Sequence, residues 1–292
     1  MNKNVIQEIK KECDNYKNTV WGLLAFINHS TWDFEREEKY PSAQHSLGRR
    51  MTTEEEKTVT PDLVVQRSPQ YGLICEAKKD LVRDRELWVQ YLDQLSDYDI
   101  IIEGWFDFDS VNNYDVVFLT DISRSVDFGD YIENSDRVFT HNLVTVGFQP
   151  TPGSTDTFIT LKKERGNLSD TTLDESLRLV AEIPYSKIER SIGSVMFYDY
   201  PPHIVYTSRI IWEHICSAKI SPDTWDKESK AHVLELSVDE ITTELQEYFG
   251  QPSRGEREQE IPKQKWIRKV FDFLVEAEYA GKIDNIDTYK IF

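Results

Sequence analysis

What this sequence lacks narrows it first. Its three cysteines, Cys13, Cys75 and Cys216, stand far apart and form no CxxC pair. That argues against a disulfide framework or a thiolate zinc site, and for reduced thiols in a core. The six histidines show no HxxxH or HNH-like grouping, so a histidine-based nuclease or zinc centre is not expected. His29 and His45 lie upstream of the core strands and read as structural or without an assigned role. No apolar run approaches the ~20 residues of a membrane span. The opening MNKNVIQEIKKECDNYKN is charged and lacks a signal-peptide core, so a cytoplasmic protein without a membrane partner is expected. Basic residues are in deficit: 34 Lys and Arg against 52 Asp and Glu leave a formal charge of −18. Such a balance disfavours nucleic-acid binding by the surface as a whole. It leaves room for a local basic groove, and it suits a basic protein partner.

What is present suffices for a core. Hydrophobic residues are 39% of 292, enough for one large domain or two ordinary ones. The mixture of charges with Val5, Ile6, Ile9, Val20, Leu23, Leu24 and Ile27 predicts a helix over 5–27. A polar stretch follows, with a strand possible near Ala43–Met51. Two strands are expected at 62–66 and 71–77, joined by the turn-like RSPQ around Pro69. In DRELWVQYLDQLSDY, Leu87, Trp88, Tyr91, Leu92 and Leu95 form an amphipathic helical stripe over 84–98. DVVFLT, 115–120, reads as a buried strand. Helix, strands, helix, strand makes an α/β core.

Residues 122–220 read as the remainder of that domain with an insertion. TDTFITLKK is a strand, SDTTLDESLRLVAEI a helix with Ser169 as its cap, and PHIVYTSRIIWEHICSA a strand followed by a helix. The expected division is a first domain at 1–220 and a second at 221–292.

The two central strands carry charge where a core should be apolar. Glu76 and Lys78 are two residues apart, so they share one face of a strand. If the strands pair as a hairpin, Asp62 lies across from the end of the second. Two acids and a lysine then meet at one end of the sheet. That set suits phosphodiester hydrolysis, because hard oxygen ligands hold Mg²⁺, and an ammonium can orient water and offset charge on the phosphorane. The carbonyl of Ala77 can add a ligand. The bland alternative is a strand-end acid paired with Lys78 or Lys79, an ordinary contact worth little.

PD at Pro61–Asp62 followed by EAK at Glu76–Lys78 resembles the PD-(D/E)xK motif of the restriction-endonuclease-like nuclease superfamily. QLSDY, Gln94 to Tyr98, resembles the QxxxY helix motif of its RecB-type branch. Gln90, Gln94 and Tyr98, each four apart, share one helix face. The resemblance covers about residues 2–120 and implies an αβββαβ core and a metal-dependent nuclease. Asp62, Glu76 and Lys78 become catalytic, and Asp62, Glu76 and the Ala77 carbonyl hold Mg²⁺ or Mn²⁺. Gln94 and Tyr98 support substrate, either by holding the site or by touching the DNA backbone. The family often adds an upstream acid. Glu35 is favoured here, with Glu37, Glu38, Glu8 and Glu12 as alternatives.

The tail has its own pattern. In LSVDEITTELQEYFG, Ser237 and Glu240 make a capping box, and Gly250 ends the helix. A second helix runs from Pro262 to Gly281 with the stripe Trp266, Ile267, Val270, Phe271 and Leu274. KIDNIDTYKIF reads as a hairpin around Asn285. With a preceding helix over Ser208–Ala218 or near Thr224–Val233, this is the order of a winged helix-turn-helix. Its second helix carries Lys263, Lys265, Arg268 and Lys269 opposite the stripe, and Lys265 and Arg268 are candidate phosphate contacts. Acids at its far end suit a protein-binding role equally.

The expected activity is therefore Mg²⁺-dependent endonucleolytic cleavage of double-stranded DNA. Family habit suggests restriction or antiviral defence, as a homodimer or with a protein partner. The rivals are a non-catalytic nucleic-acid or protein-binding module and a nuclease subunit active only within a complex.

Overall fold

The computed structural model describes residues 3–33, 37–78, 81, 84–100, 102–106, 111, 113–154, 156–188, 202–228, 230–249, 262–283 and 287–291. The chain is mixed α/β and divides into two compact units, Asn18–Tyr198 and Met1–Lys17 with Asp199–Phe292. The second unit takes in the start of the first helix.

The larger unit is built on one seven-stranded sheet. Its strands are β1 (Gln44–Leu47), β2 (Leu63–Ser68), β3 (Tyr71–Ala77), β4 (Asn113–Asp121), β5 (Leu143–Pro152), β6 (Thr157–Arg165) and β7 (Ala181–Pro184). They lie side by side in sequence order. β1, β2 and β3 are antiparallel. β4 is parallel to β3, and β5 is parallel to β4. β6 and β7 return antiparallel. Residues 122–188 thus extend the same sheet rather than forming an insertion.

The helices packed with this sheet include α1 (Lys3–Ser30, of which the larger unit holds residues 18–30), α2 (Arg85–Asp97), α3 (Ile122–Glu133) and α4 (Thr171–Arg178), and a single helical turn follows at Tyr185–Ile188. Both faces of the central strands are covered, so every residue of β3 is buried, as continuous apolar strands of a two-sided sheet require. On one face Val64, Ile74, Val116 and Phe118 pack with Trp88, Leu92 and Leu95 of α2 and Phe128 of α3. A Cβ on Gly147 of β5 would come within 2.6 Å of Ser125 Oγ and 2.9 Å of Ile122 Cα; glycine there lets α3 sit against the strand. A three-stranded sheet of Met51–Thr53, Thr58–Val59 and Ile102–Glu103 completes this side.

Two local expectations change. Asp170, not Ser169, caps α4, accepting from Leu173 N at 2.8 Å. Ser169 instead binds the buried Asp115 through its backbone N–H at 2.6 Å and its hydroxyl at 2.7 Å. Residues 181–183, expected to continue the α4 helix, belong to strand β7.

The second unit contains α5 (Ile204–Ile211), which continues through a π turn at Trp212–Cys216 to Lys219. β8 (Leu234–Ser237), α6 (Val238–Phe249), α7 (Gln264–Glu276), β9 (Ala280–Ile283) and β10 (Thr288–Ile291) follow. The three strands are ordered β8, β10, β9 and pair antiparallel. Residues 204–207 are helical where a strand was expected, and they run into the helix expected over Ser208–Ala218. Glu240 N donates to Ser237 Oγ at 3.0 Å, as the capping pattern predicts. Gly250 and Asn285 lie outside the described residues. Among the described residues, no helix is long and apolar enough to cross a membrane.

Candidate active site

Three segments bring the site together. β2 and β3 form a tight hairpin in which Leu63 faces Cys75, so the residue before Leu63 reaches the end of β3. There Asp62 Oδ2 accepts from Ala77 N at 2.8 Å. Its carbonyl accepts from Gly48 N at 3.1 Å, which ties the exit of β1 to the same place. Lys78 N donates to Leu119 O at 3.0 Å, fixing the end of β3 beside β4.

Above this end lies α2. Asp84 caps it, accepting from Glu86 N at 2.9 Å, and Trp88, Leu92 and Leu95 anchor it on the sheet. Its polar face meets the charged residues of β3. Lys78 Nζ donates to Glu76 Oε1 and to Gln94 Oε1 at 3.3 Å. Gln94 Nε2 donates to Tyr98 OH at 3.1 Å. Tyr98 OH donates to Glu76 Oε2 at 2.8 Å. The four side chains close a ring in which each donor has an assigned direction. The Lys78 ammonium also sits 5.1 Å from the centre of the Tyr91 ring, within cation–π range.

The ring is set deep. Glu76 is only 2% exposed and Tyr98 only 2%, while Lys78, Gln94 and Asp62 are half-buried. A buried carboxylate persists only when paired and hydrogen-bonded, and Glu76 has both. Burial, then the neighbouring Glu76 charge, raises the Asp62 pKa well above the ordinary carboxylate value, although Lys78 and the Ala77 N–H oppose this. Burial works against the Lys78 ammonium, but Glu76 and Asp62 outweigh it and raise its pKa. Burial, and after it the Glu76 charge, likewise raises the Tyr98 phenol far above its usual range, so it stays a proton donor. Cys75 is fully buried, and its thiol is raised first by burial and then by the two acids; it is a core thiol.

Asp62, Glu76 and Lys78 therefore converge at one end of the sheet. Gln94 and Tyr98 stand behind Glu76 and Lys78 and hold them, one of the two positions the sequence left open for them. Gln90, one turn earlier, is exposed and outside the ring. Glu35 lies outside the described residues. Of its alternatives, Glu12 is 3.7 Å from His203 in the second unit, and Glu37 and Glu38 are exposed.

Two supports were not anticipated from sequence. Tyr91 shares a helix face with Gln94 and Tyr98, a spacing of three and seven that marked it in the sequence. Tyr114 OH is 2.9 Å from Tyr98 O and 2.7 Å from Ile100 O, and steadies the end of α2.

In the second unit, Lys263, Lys265 and Lys269 of the α7 region are exposed. Arg268 instead forks onto Asp287, with Nε to Oδ1 at 3.1 Å and the second nitrogen to Oδ2 at 2.5 Å. No family model, curated protein or solved structure matches this chain.

Proposed function

We propose that this chain is a metal-dependent endonuclease acting on double-stranded DNA. It would have a restriction-endonuclease-like core and a winged-helix tail. The observation that carries the reading is the convergence of Asp62, Glu76 and Lys78 on one end of the sheet, with Gln94 and Tyr98 bracing them. The order of α1, three antiparallel strands, α2 and a parallel strand supports the αβββαβ core. The order α5, β8, α6, α7, hairpin, with β10 between β8 and β9, supports the winged helix. Three free thiols suit a cytoplasmic setting.

The donor set fits a hard divalent cation. Two adjacent carboxylates repel strongly enough to help raise the Asp62 pKa, and a cation placed between them relieves that repulsion in place of a proton. Asp62, Glu76 and the Ala77 carbonyl would hold Mg²⁺ or Mn²⁺, oxygen ligands with positions left for water. When bound, such an ion polarises the scissile phosphate and lowers the pKa of a water. Lys78 orients the attacking water and offsets the negative charge that grows on the phosphate oxygens. Tyr98 and Gln94 are positioning residues: one fixes the plane of the Glu76 carboxylate, the other the Lys78 ammonium. A role in restriction or antiviral defence accords with this chemistry.

Incubation of plasmid with the protein and Mg²⁺ tests the reading. Wild type should nick or linearise the DNA, EDTA should stop it, and Glu76→Gln should abolish it. Cutting that survives EDTA or Glu76→Gln would sink the metal mechanism.

The Arg268–Asp287 fork favours a second reading for the tail alone. With its guanidinium satisfied internally, α7 offers phosphate fewer cations, and a protein-binding winged helix becomes a rival to a DNA-binding one.

A further inference from the structure

The arginines of the larger unit fall into two groups. Arg67 pairs with Asp170, Arg137 with Asp93, Arg165 with Asp130 and Arg178 with Glu175. Arg49 donates to the carbonyls of Gly104 at 2.6 Å and Trp105 at 3.2 Å. Among the described residues, Arg50, Arg85 and Arg124 alone of this unit's arginines form no hydrogen bond or ion pair with the protein. In a chain with 52 acids against 34 bases, an arginine without a carboxylate is the exception to be explained.

The segments that carry all three leave one end of the sheet. β1 leaves the sheet beside Asp62, since Leu47 faces Leu63 and Gly48 N bonds the Asp62 carbonyl; Arg50 is two residues on. β3 leaves it at Lys78, and Arg85 is the first residue of the helix that follows. β4 leaves it at Asp121, beside Lys78, and Arg124 lies in the first turn of the next helix. Each of the three exits around Asp62, Glu76 and Lys78 thus carries one such arginine. Arg50 and Arg85 are exposed and Arg124 half-buried. The acids that cap the two helices, Asp84 and Asp121, are taken up by the backbone N–H groups of Glu86 and Ser123, which lessens their competition for the guanidinium groups.

We propose that Arg50, Arg85 and Arg124 form a phosphate-binding rim that seats the DNA backbone across the site. A guanidinium binds phosphate through paired N–H donors and stays charged at any working pH. Three of them on separate segments grip several phosphates of one strand path, which fixes the scissile bond over Lys78. The acidic balance of the chain repels the duplex and so favours binding where uncompensated guanidinium groups stand. This inference rests on the nuclease reading, but the two fail separately.

The test is duplex binding by fluorescence anisotropy in EDTA, where no cutting occurs, across a KCl series. Each phosphate contact contributes a slope of about 0.9 in log affinity against log salt. Replacing Arg50, Arg85 and Arg124 together by alanine should lower the slope by about 2–3. The corresponding triple lysine variant should keep it. A triple Arg137→Ala, Arg165→Ala, Arg178→Ala variant has the same change in net charge and should leave the slope as in wild type. The rim is overturned if its alanine variant binds as wild type does, if the control loses as much slope, or if wild type binds no duplex. Cutting in Mg²⁺ with an unchanged slope would remove the rim and keep the nuclease. Rim-dependent binding without cutting would do the reverse.

Discussion

Tyr98 OH donates to Glu76 Oε2 at 2.8 Å, joining the last turn of α2 to the end of β3. This single contact makes the helix part of the site. It leaves Glu76 with one oxygen turned to a phenol and the other to Lys78, so the carboxylate has one orientation rather than a choice of several.

Removing that hydroxyl should therefore disturb catalysis more than stability. Tyr98→Phe keeps the buried ring, while Glu76 and Gln94 each lose a partner. Hydrogen bonds to charged groups contribute about 1.5–3 kcal/mol, and a thermal melt should fall accordingly. Single-turnover cutting should drop about tenfold or more, as loss of carboxylate alignment predicts. A variant that melts lower but cuts at the wild-type rate would show that Tyr98 is only a packing residue.

Asp62 should trade stability for function. Its folded pKa is raised, first by burial and then by Glu76. The stability it contributes is thus full below the ordinary carboxylate pKa and lost as pH rises toward the raised value. Asp62→Asn cannot ionise and can still accept from Ala77 N. In EDTA at neutral pH it should melt a few degrees above wild type, where ~1 kcal/mol is about 2–4 °C, and near pH 4 the gap should shrink. Mg²⁺ should raise the wild-type melt more than that of the variant. A variant less stable than wild type in EDTA at both pH values would refute the repulsion.

His29 gives a pH dependence of opposite sign. Burial, then the Arg67 charge, lowers its pKa from 6.5 to about 4, and its Nε2 lies 2.9 Å from Ser176 Oγ. The unfolded chain takes up a proton below about 6.5 that the folded chain refuses until about 4. Stability is present above 6.5 and lost as pH falls through that window, by about 1–3 kcal/mol. Denaturant melts across the window should show the slope, and His29→Gln should flatten it. An unchanged slope in the variant would assign the effect to other groups.

Much of the site was legible because local geometry fixes it. A period of two puts Glu76 and Lys78 on one strand face, and a spacing of four puts Gln94 and Tyr98 on one helix face. The strands around DLVV and LICEA and the helix after them appear close to where their apolar patterns place them. What the pattern did not reveal is non-local. Asp115 is fully buried, yet Asn142 and Ser169, its partners 27 and 54 residues away, satisfy it, and this network takes Ser169 from the cap it resembles. The β-branched IVYT suggested a strand, but residues 204–211 form a helix with Tyr206, Thr207, Ile210 and Ile211 buried, a case of tertiary packing overriding propensity. The start of α1 joins the tail, which no local signal carries. Arg268 looked available to phosphate until Asp287, 19 residues on, came beside it.

The central claim is that Lys78 acts at the reacting phosphate. The most direct measurement is the single-turnover rate of plasmid cutting in Mg²⁺ for wild type and Lys78→Ala, with thermal melts confirming that both are folded. Loss of a group that stabilises transition-state charge lowers the rate by about 10²–10³, and that loss is the predicted result. A folded Lys78→Ala protein that cuts as fast as wild type would contradict the account.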